Sequence, residues 1–227
     1  MIDWRAIDTV LLDMDGTLLD LHFDNYFWIT YLPRRYAEHH GLCPDKASAD
    51  LHRIFHEKRG TLDWYCLDYW SRQLGVDIRA LKEEIQHLIQ ERPHAIHFLQ
   101  QLKEAGKKRY LITNAHRKSL ELKLSLTGIG GELDALISSH DFGHPKESAQ
   151  FWQKLREMTG FDPARTLFID DSLSVLKAAE TFGIAYLCAI RQPDSRANAL
   201  DTEHFTAIHH FDEIFPLSDT ANGDNHG

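Results

Sequence analysis

TVLLDMDGTLLD, from Thr9 to Asp20, is the stretch whose reading decides the fold. Apolar Val10, Leu11 and Leu12 run straight into two carboxylates one residue apart, Asp13 and Asp15, and then into Gly16 and Thr17. A short apolar run ended by turn residues is the pattern of a strand buried on both faces. Like charges as close as Asp13 and Asp15 disfavour each other's ionisation unless a cation or protons intervene. The end of this strand is therefore a place where something is held.

Runs of the same kind recur downstream: RYLITNA (109–115), DALISS (134–139), TLFIDD (166–171) and AYLCAI (185–190). Helical patterns lie between them. Pro93, Ile96, Leu99, Leu102 and Ala105 recur every three residues and stop at Gly106. Leu120 to Leu126 form a second pattern, and Phe151, Leu155 and Met158, ended by Gly160, form a third. Ser172, Val175, Leu176 and Ala179, ended by Gly183, form a fourth. Strands alternating with helices predict an α/β fold with a doubly wound, Rossmann-like parallel sheet.

Residues 21–92 break this rhythm. They hold no convincing strand and are rich in aromatics and helix formers, as in FDNYFWITYLPRRYAEHH and TLDWYCLDYWSRQLG. The expected organisation is a core of residues 1–20 and 93–216, a helical domain of residues 21–92 inserted after the first strand, and a polar, disordered tail at 217–227. The chain shows no internal repeat and no low-complexity tract.

The totals narrow the function. With 227 residues and 43% hydrophobic residues, the chain can build a substantial core. A net charge of −9 speaks against a nucleic-acid polymer as partner, but a small phosphorylated substrate needs only a local positive pocket. Cys43, Cys66 and Cys188 are isolated and form no C-x-x-C pair, which reads as reduced thiols of a cytoplasmic protein. The N-terminus lacks the basic start and apolar run of a signal peptide, and no uncharged stretch is long enough to span a bilayer. The oligomeric state is left open.

In a doubly wound sheet, ligands bind beyond the carboxyl ends of the strands. Those ends carry Asp13 and Asp15, then Thr113 and Asn114, then Lys146 in HDFGHPKE, then Asp170 and Asp171, with Ser172 placed to cap the next helix. Carboxylates gathered on one rim suit a hard divalent cation, most naturally Mg²⁺. The amine and hydroxyl suit a phosphoryl group.

This ordered set resembles the haloacid-dehalogenase-like superfamily of phosphohydrolases. The likeness runs through DMDGT, LITN, the lone Lys146 in GHPKE, and LFIDDS, and the helical insert lies where that superfamily carries its cap. The resemblance implies that Asp13 is the nucleophile forming an aspartyl-phosphate, and that it also ligates Mg²⁺. Asp15 would be general acid and then base, with its backbone carbonyl on the metal. Gly16 would let the chain turn away without a Cβ clash. Thr113 and the backbone amide of Asn114 would hold phosphate oxygens, with Lys146 offsetting their charge. Asp171 would ligate the metal directly, and Asp170 would support Lys146 or a metal-bound water. Relatives that expel halide lack an acid at the position of Asp15, so its presence favours phosphate monoesters.

More narrowly, LLDMDGTLLDLHFDNYFW, WYCLDYWSRQLG, LITNAH and TLFIDDS resemble the bacterial GMP/IMP nucleotidase family. That implies a purine nucleoside 5′-monophosphate as substrate. Trp64, Tyr65 and Trp70 could wall a purine, and Asn25 or Asp68 could meet its edge. The alternatives are a phosphatase of sugar phosphates or phosphoglycolate with the same mechanism, and a phosphomutase. A signalling receiver also uses an acid cluster, a Thr and a Lys, but its order differs and it has no use for the insert. The insert's aromatics are read first as core, since Tyr65 with Tyr69 and Cys66 with Trp70 fall at i, i+4. His52 and His56 share that spacing without an H-E-x-x-H pattern, and GKKR at 106–109 reads as a solvated turn.

Overall fold

A computed structural model describes residues 2–216; the tail expected at 217–227 lies outside them. The sheet begins with β1 (Thr9–Leu12). A helical stretch follows: α1 (His22–Tyr26), a π-helical turn (Phe27–Tyr31), α2 (Leu32–His40), α3 (Pro44–Lys58), α4 (Leu67–Leu74) and α5 (Ile78–Glu84). Then come α6 (Ala95–Glu104), β2 (Lys108–Thr113), α7 (Arg117–Leu126), β3 (Ala135–Ser138), α8 (Ala149–Thr159), β4 (Thr166–Asp170), α9 (Leu173–Phe182), β5 (Tyr186–Ile190) and β6 (Thr206–Ile208).

Among the described residues the sheet has six strands in the order β3-β2-β1-β4-β5-β6, and every pairing is parallel. The order reverses beside β1, so the crevice that binds ligands in such sheets opens above the Asp-x-Asp turn. Alternation along β1 explains its unbroken apolar run. Val10 and Leu12 join one buried cluster with Phe98, Leu99 and Leu102 of α6. Leu11 points to the other face, against Phe151, Trp152 and Leu155 of α8 and Val175 and Leu176 of α9.

The inserted helices bury an apolar cluster of their own, built from Phe23, Phe27, Leu32, Leu51, Leu67, Trp70, Leu74 and Ile78. Trp28, Phe55, Trp64, Tyr69 and Trp70 meet mostly edge to face. Among the described residues, no helix is long and apolar enough to cross a membrane.

Four local expectations are corrected. A sixth strand, β6, follows the five apolar runs read from the sequence; its three residues are too few to show a period. The GKKR turn is not simply solvated. Lys107 Nζ donates to the carbonyls of Trp4 and Ile7, each at 2.8 Å, and Arg109 is buried against Asp134 at 2.5 Å. Tyr65 lies in a 3₁₀ turn (Leu62–Tyr65) before α4, so it is no helical partner of Tyr69. Ser172 stands at the N-cap of α9, but its hydroxyl makes no capping bond and pairs with Ser174.

Candidate active site

Parallel pairing delivers the polar residues to one rim. The ladder carries past β1, with Asp13 N–H donating to Ile169 O at 3.0 Å, and so sets Asp13 beside the end of β4. Lys146, in the loop before α8, is buried between the two strand ends. Its Nζ donates to Asp13 Oδ1, to Asp170 Oδ2 at 2.7 Å and to Ile112 O at 3.3 Å. Asn114 Oδ1 accepts from Lys146 N at 2.9 Å, and Trp152 Nε1 donates to Lys146 O at 2.7 Å, so the lysine's backbone is pinned from both sides.

Both Asp170 oxygens are engaged, since Oδ2 takes Lys146 and Oδ1 takes Ser172 N at 2.8 Å. Asp171 has no cationic partner at ion-pair distance among the described residues. Gly16 lies against it with φ +88°, and a Cβ there would sit 2.6 Å from the Asp171 carboxyl. Only glycine lets the Asp-x-Asp turn approach this closely.

The electrostatics show a site short of positive charge. Burial lifts the Asp13 carboxyl to about 6 against the pull of Lys146, and Asp170 adds to the rise. Burial likewise lifts Asp15 to about 6 against Lys123, with Asp24 and Asp13 adding. Asp171 is driven well above the carboxylate range by burial, then by Asp170 and Asp13. Lys146 is held charged because Asp13 and Asp170 outweigh its burial. Carboxylate oxygens of Asp13, Asp170 and Asp171 lie within 4.8 Å of one another. An all-oxygen set whose members repel fits a hard divalent ion.

Above the carboxylates lies a cavity of about 290 Å³. Asp13, Asp15, Thr113, Asn114, Lys146 and Asp171 line its floor, and Asn25, Trp28, Phe55, Trp64, Tyr65 and Trp70 line the side formed by the insert. Thr113 Oγ1 accepts from Ala115 N at 3.0 Å, which leaves its proton free to donate. Asn25 Nδ2 is engaged by Asp194 Oδ2 at 2.8 Å. Asp68 does not line this cavity. Its carboxylate takes Lys118 Nζ at 2.6 Å, so the sequence reading misplaced it. His52 and His56 stay exposed on α3.

The haloacid dehalogenase-like hydrolase family matches residues 7–183 of the chain. The chain belongs to this family of hydrolases. The chain of this haloacid dehalogenase-like hydrolase is 45% identical over 215 residues to GMP/IMP nucleotidase YrfG of Escherichia coli (strain K12), covering 95% of this chain and 97% of that protein. It is 23% identical over 181 residues to pyrophosphatase PpaX of Bacillus velezensis, covering 79% and 81% of the two chains. In structure it is similar to a HAD phosphatase from Thermococcus onnurineus, with a TM-score of 0.75, 24% identity and coverage of 91% and 95%. The last likeness shows the fold.

The sequence reading of this haloacid dehalogenase-like hydrolase missed a second charged cluster. Lys123 Nζ, from α7, reaches Asp15 and also Asp24 of α1, and Lys82 Nζ, from α5, reaches Asp24 Oδ1 at 2.7 Å. Both lysines are buried, and Lys82 also lies over the Phe23 and Phe27 rings. A signal existed. Lys82 falls in phase with Ile78 and Ile85 on an apolar helix face, where an unpaired lysine would not be tolerated. Glu147 was missed as well: it accepts from Tyr65 OH at 2.9 Å and from Asn114 Nδ2 at 3.0 Å.

Proposed function

We propose that this chain hydrolyses phosphomonoesters, and that its substrates are purine nucleoside 5′-monophosphates of the GMP and IMP kind. The observation that carries the substrate is the 45% identity to a GMP/IMP nucleotidase across 95% of the chain, which takes in the insert as well as the core. The cavity supports it, with a polar floor suited to phosphate and an aromatic side suited to a flat base.

An Asp13 carboxylate oxygen attacks phosphorus, and the bond to the ester oxygen breaks as the aspartyl-phosphate forms. Asp15 gives its proton to the departing oxygen. A water then attacks the same phosphorus and passes its proton to Asp15, which releases phosphate and restores Asp13. Lys146 stands against Asp13 and reduces the repulsion a phosphate dianion would meet there. The Thr113 hydroxyl and the Asn114 amide hold the phosphoryl oxygens.

Asp13, the Asp15 carbonyl and Asp171 would hold Mg²⁺, with Asp170 kept beside Lys146 by its bonds to Lys146 and Ser172. Bound there, the ion supplies charge neutralisation for the phosphoryl oxygens. The residues that touch the base are drawn from Trp64, Tyr65, Trp70 and Asn25, all at the cavity. Phosphate release measured with magnesium across nucleoside monophosphates, sugar phosphates and phosphoglycolate tests the reading. GMP and IMP are expected to lead in kcat/KM. Faster turnover of a sugar phosphate, or isomerised product without free phosphate, overturns it.

A further inference from the structure

Outside the carboxylate site, a second group of metal-ligating side chains gathers where the insert meets the core. Cys66 lies between the Leu62–Tyr65 turn and α4, on the insert. His116 lies at the start of α7, and His140 in the turn after β3, both on the core. One ligand atom from each falls within 4.8 Å of the others, and the two imidazoles meet edge to face with centroids 5.0 Å apart. Metal bonds of about 2.3 Å to sulfur and about 2.0 Å to nitrogen place tetrahedral ligands roughly 3.3–3.7 Å apart. A closure of about 1 Å would therefore complete the set.

Helix capping explains part of this group but not all of it. Cys66 Sγ accepts from Tyr69 N at 3.4 Å, and His116 Nδ1 meets Lys118 N at a long 3.4 Å. His140 Nε2 has no such role. It is buried with no hydrogen-bond partner, a costly state for a ring nitrogen unless something binds it. The other contacts suit a metal. The Tyr69 N–H that reaches Cys66 Sγ can stay in place while the sulfur meets an ion through another lone pair. His116 Nε2 faces Asp68 Oδ2 at 3.9 Å, and Lys118 fixes that carboxylate. The long Lys118 N–H contact to His116 Nδ1 gives way if that nitrogen meets an ion.

We propose that Cys66, His116 and His140 form a site for a soft divalent transition-metal ion of the Zn²⁺ class, and that the ion fastens the helical insert to the core. The sulfur and nitrogen donors separate this site from the all-oxygen set at Asp13, Asp170 and Asp171. Three protein ligands leave a fourth position for water. His116 directly follows Asn114 and Ala115 of the cavity lining, and Cys66 sits between Tyr65 and Leu67 of its other side. An ion here would tie the two sides of the cavity to each other. The proposal does not rest on the identity of the substrate.

Cobalt(II) titration of chelator-treated full-length protein in excess magnesium tests it. One equivalent is expected to raise a thiolate-to-cobalt charge-transfer band. Cys66→Ser should abolish the band and His140→Ala should weaken binding at least tenfold, while Asp13→Asn should keep it. Absence of a band, or a band that survives Cys66→Ser, overturns the proposal. Should either variant misfold, the unsubstituted protein still decides. Zn²⁺ in excess magnesium should slow alkylation of Cys66 by iodoacetamide at least tenfold, read by peptide mass, and unchanged alkylation overturns the site.

Discussion

Lys123 Nζ lies 2.5 Å from Asp15 Oδ1 and 2.6 Å from Asp24 Oδ2, so one buried ammonium joins the Asp-x-Asp turn to the first inserted helix. Lys82 closes the far side of Asp24. The network ties the position of Asp15 to the docking of the insert.

Removing that ammonium leaves two half-buried carboxylates facing each other. Lys123→Met is expected to lower kcat on GMP at least tenfold and to destabilise the fold by about 3 kcal/mol. Steady-state kinetics and urea unfolding check both figures. A kcat within twofold of the parent protein would refute the tie to Asp15.

Asp24 should make the fold acid-sensitive. Burial pushes its carboxyl up, but Lys123 and Lys82 prevail and hold it at about 2, against 3.8 for a free side chain. The unfolded chain therefore takes up the proton first as pH falls. The contribution, about 2 kcal/mol, is fully present above pH ~4 and is lost as pH drops through ~2. Asp13 and Asp15, raised to about 6, act in the opposite sense at higher pH. The difference between the parent and Asp24→Asn isolates the effect: their unfolding free energies should converge between pH 4 and pH 2.

Gly16→Ala places a Cβ where the Asp171 carboxyl stands, on backbone at φ +88°. The expected result is a loss of at least a hundredfold in activity with a destabilisation of about 1–2 kcal/mol. Magnesium dependence of the residual activity is the diagnostic reading, because displacement of Asp171 should raise the concentration required for half-activation.

Asp13→Asn should abolish turnover of every phosphomonoester, by at least a thousandfold if the carboxylate is the nucleophile. Capture of phosphate on the protein after acid quenching is expected for the parent and not for the variant. Undiminished phosphate release from the variant would exclude the covalent route.

Trp64→Leu should separate base recognition from chemistry. Trp64 lines the cavity and meets Phe55 and Trp70 edge to face. If it walls the purine, KM for GMP rises at least fivefold while KM for a small aryl phosphate stays unchanged. A parallel rise for both would assign Trp64 to packing alone.

The core motifs were legible in the chain because strand ends are local features. Apolar runs that stop at Asp13, Thr113 and Asp170 announce both the strand and the rim to which it delivers polar groups. Lys146 was legible only through its place in that order, since nothing local marks a loop lysine as buried. The Lys82–Asp24–Lys123–Asp15 chain was not seen, because its residues come from three separate helices and the turn after β1.

By itself, then, the sequence determined the parallel α/β core and the acids at its strand ends, through periodicity and turn chemistry that act over a few residues. The tertiary structure decided which charges meet. It engaged both oxygens of Asp170, left Asp171 with no cationic side chain at ion-pair distance among the described residues, turned Asp68 away from the cavity and set Cys66 beside His116 and His140. Pairing across such distances along the chain depends on how the layers pack, and burial then sets the strength of each pair.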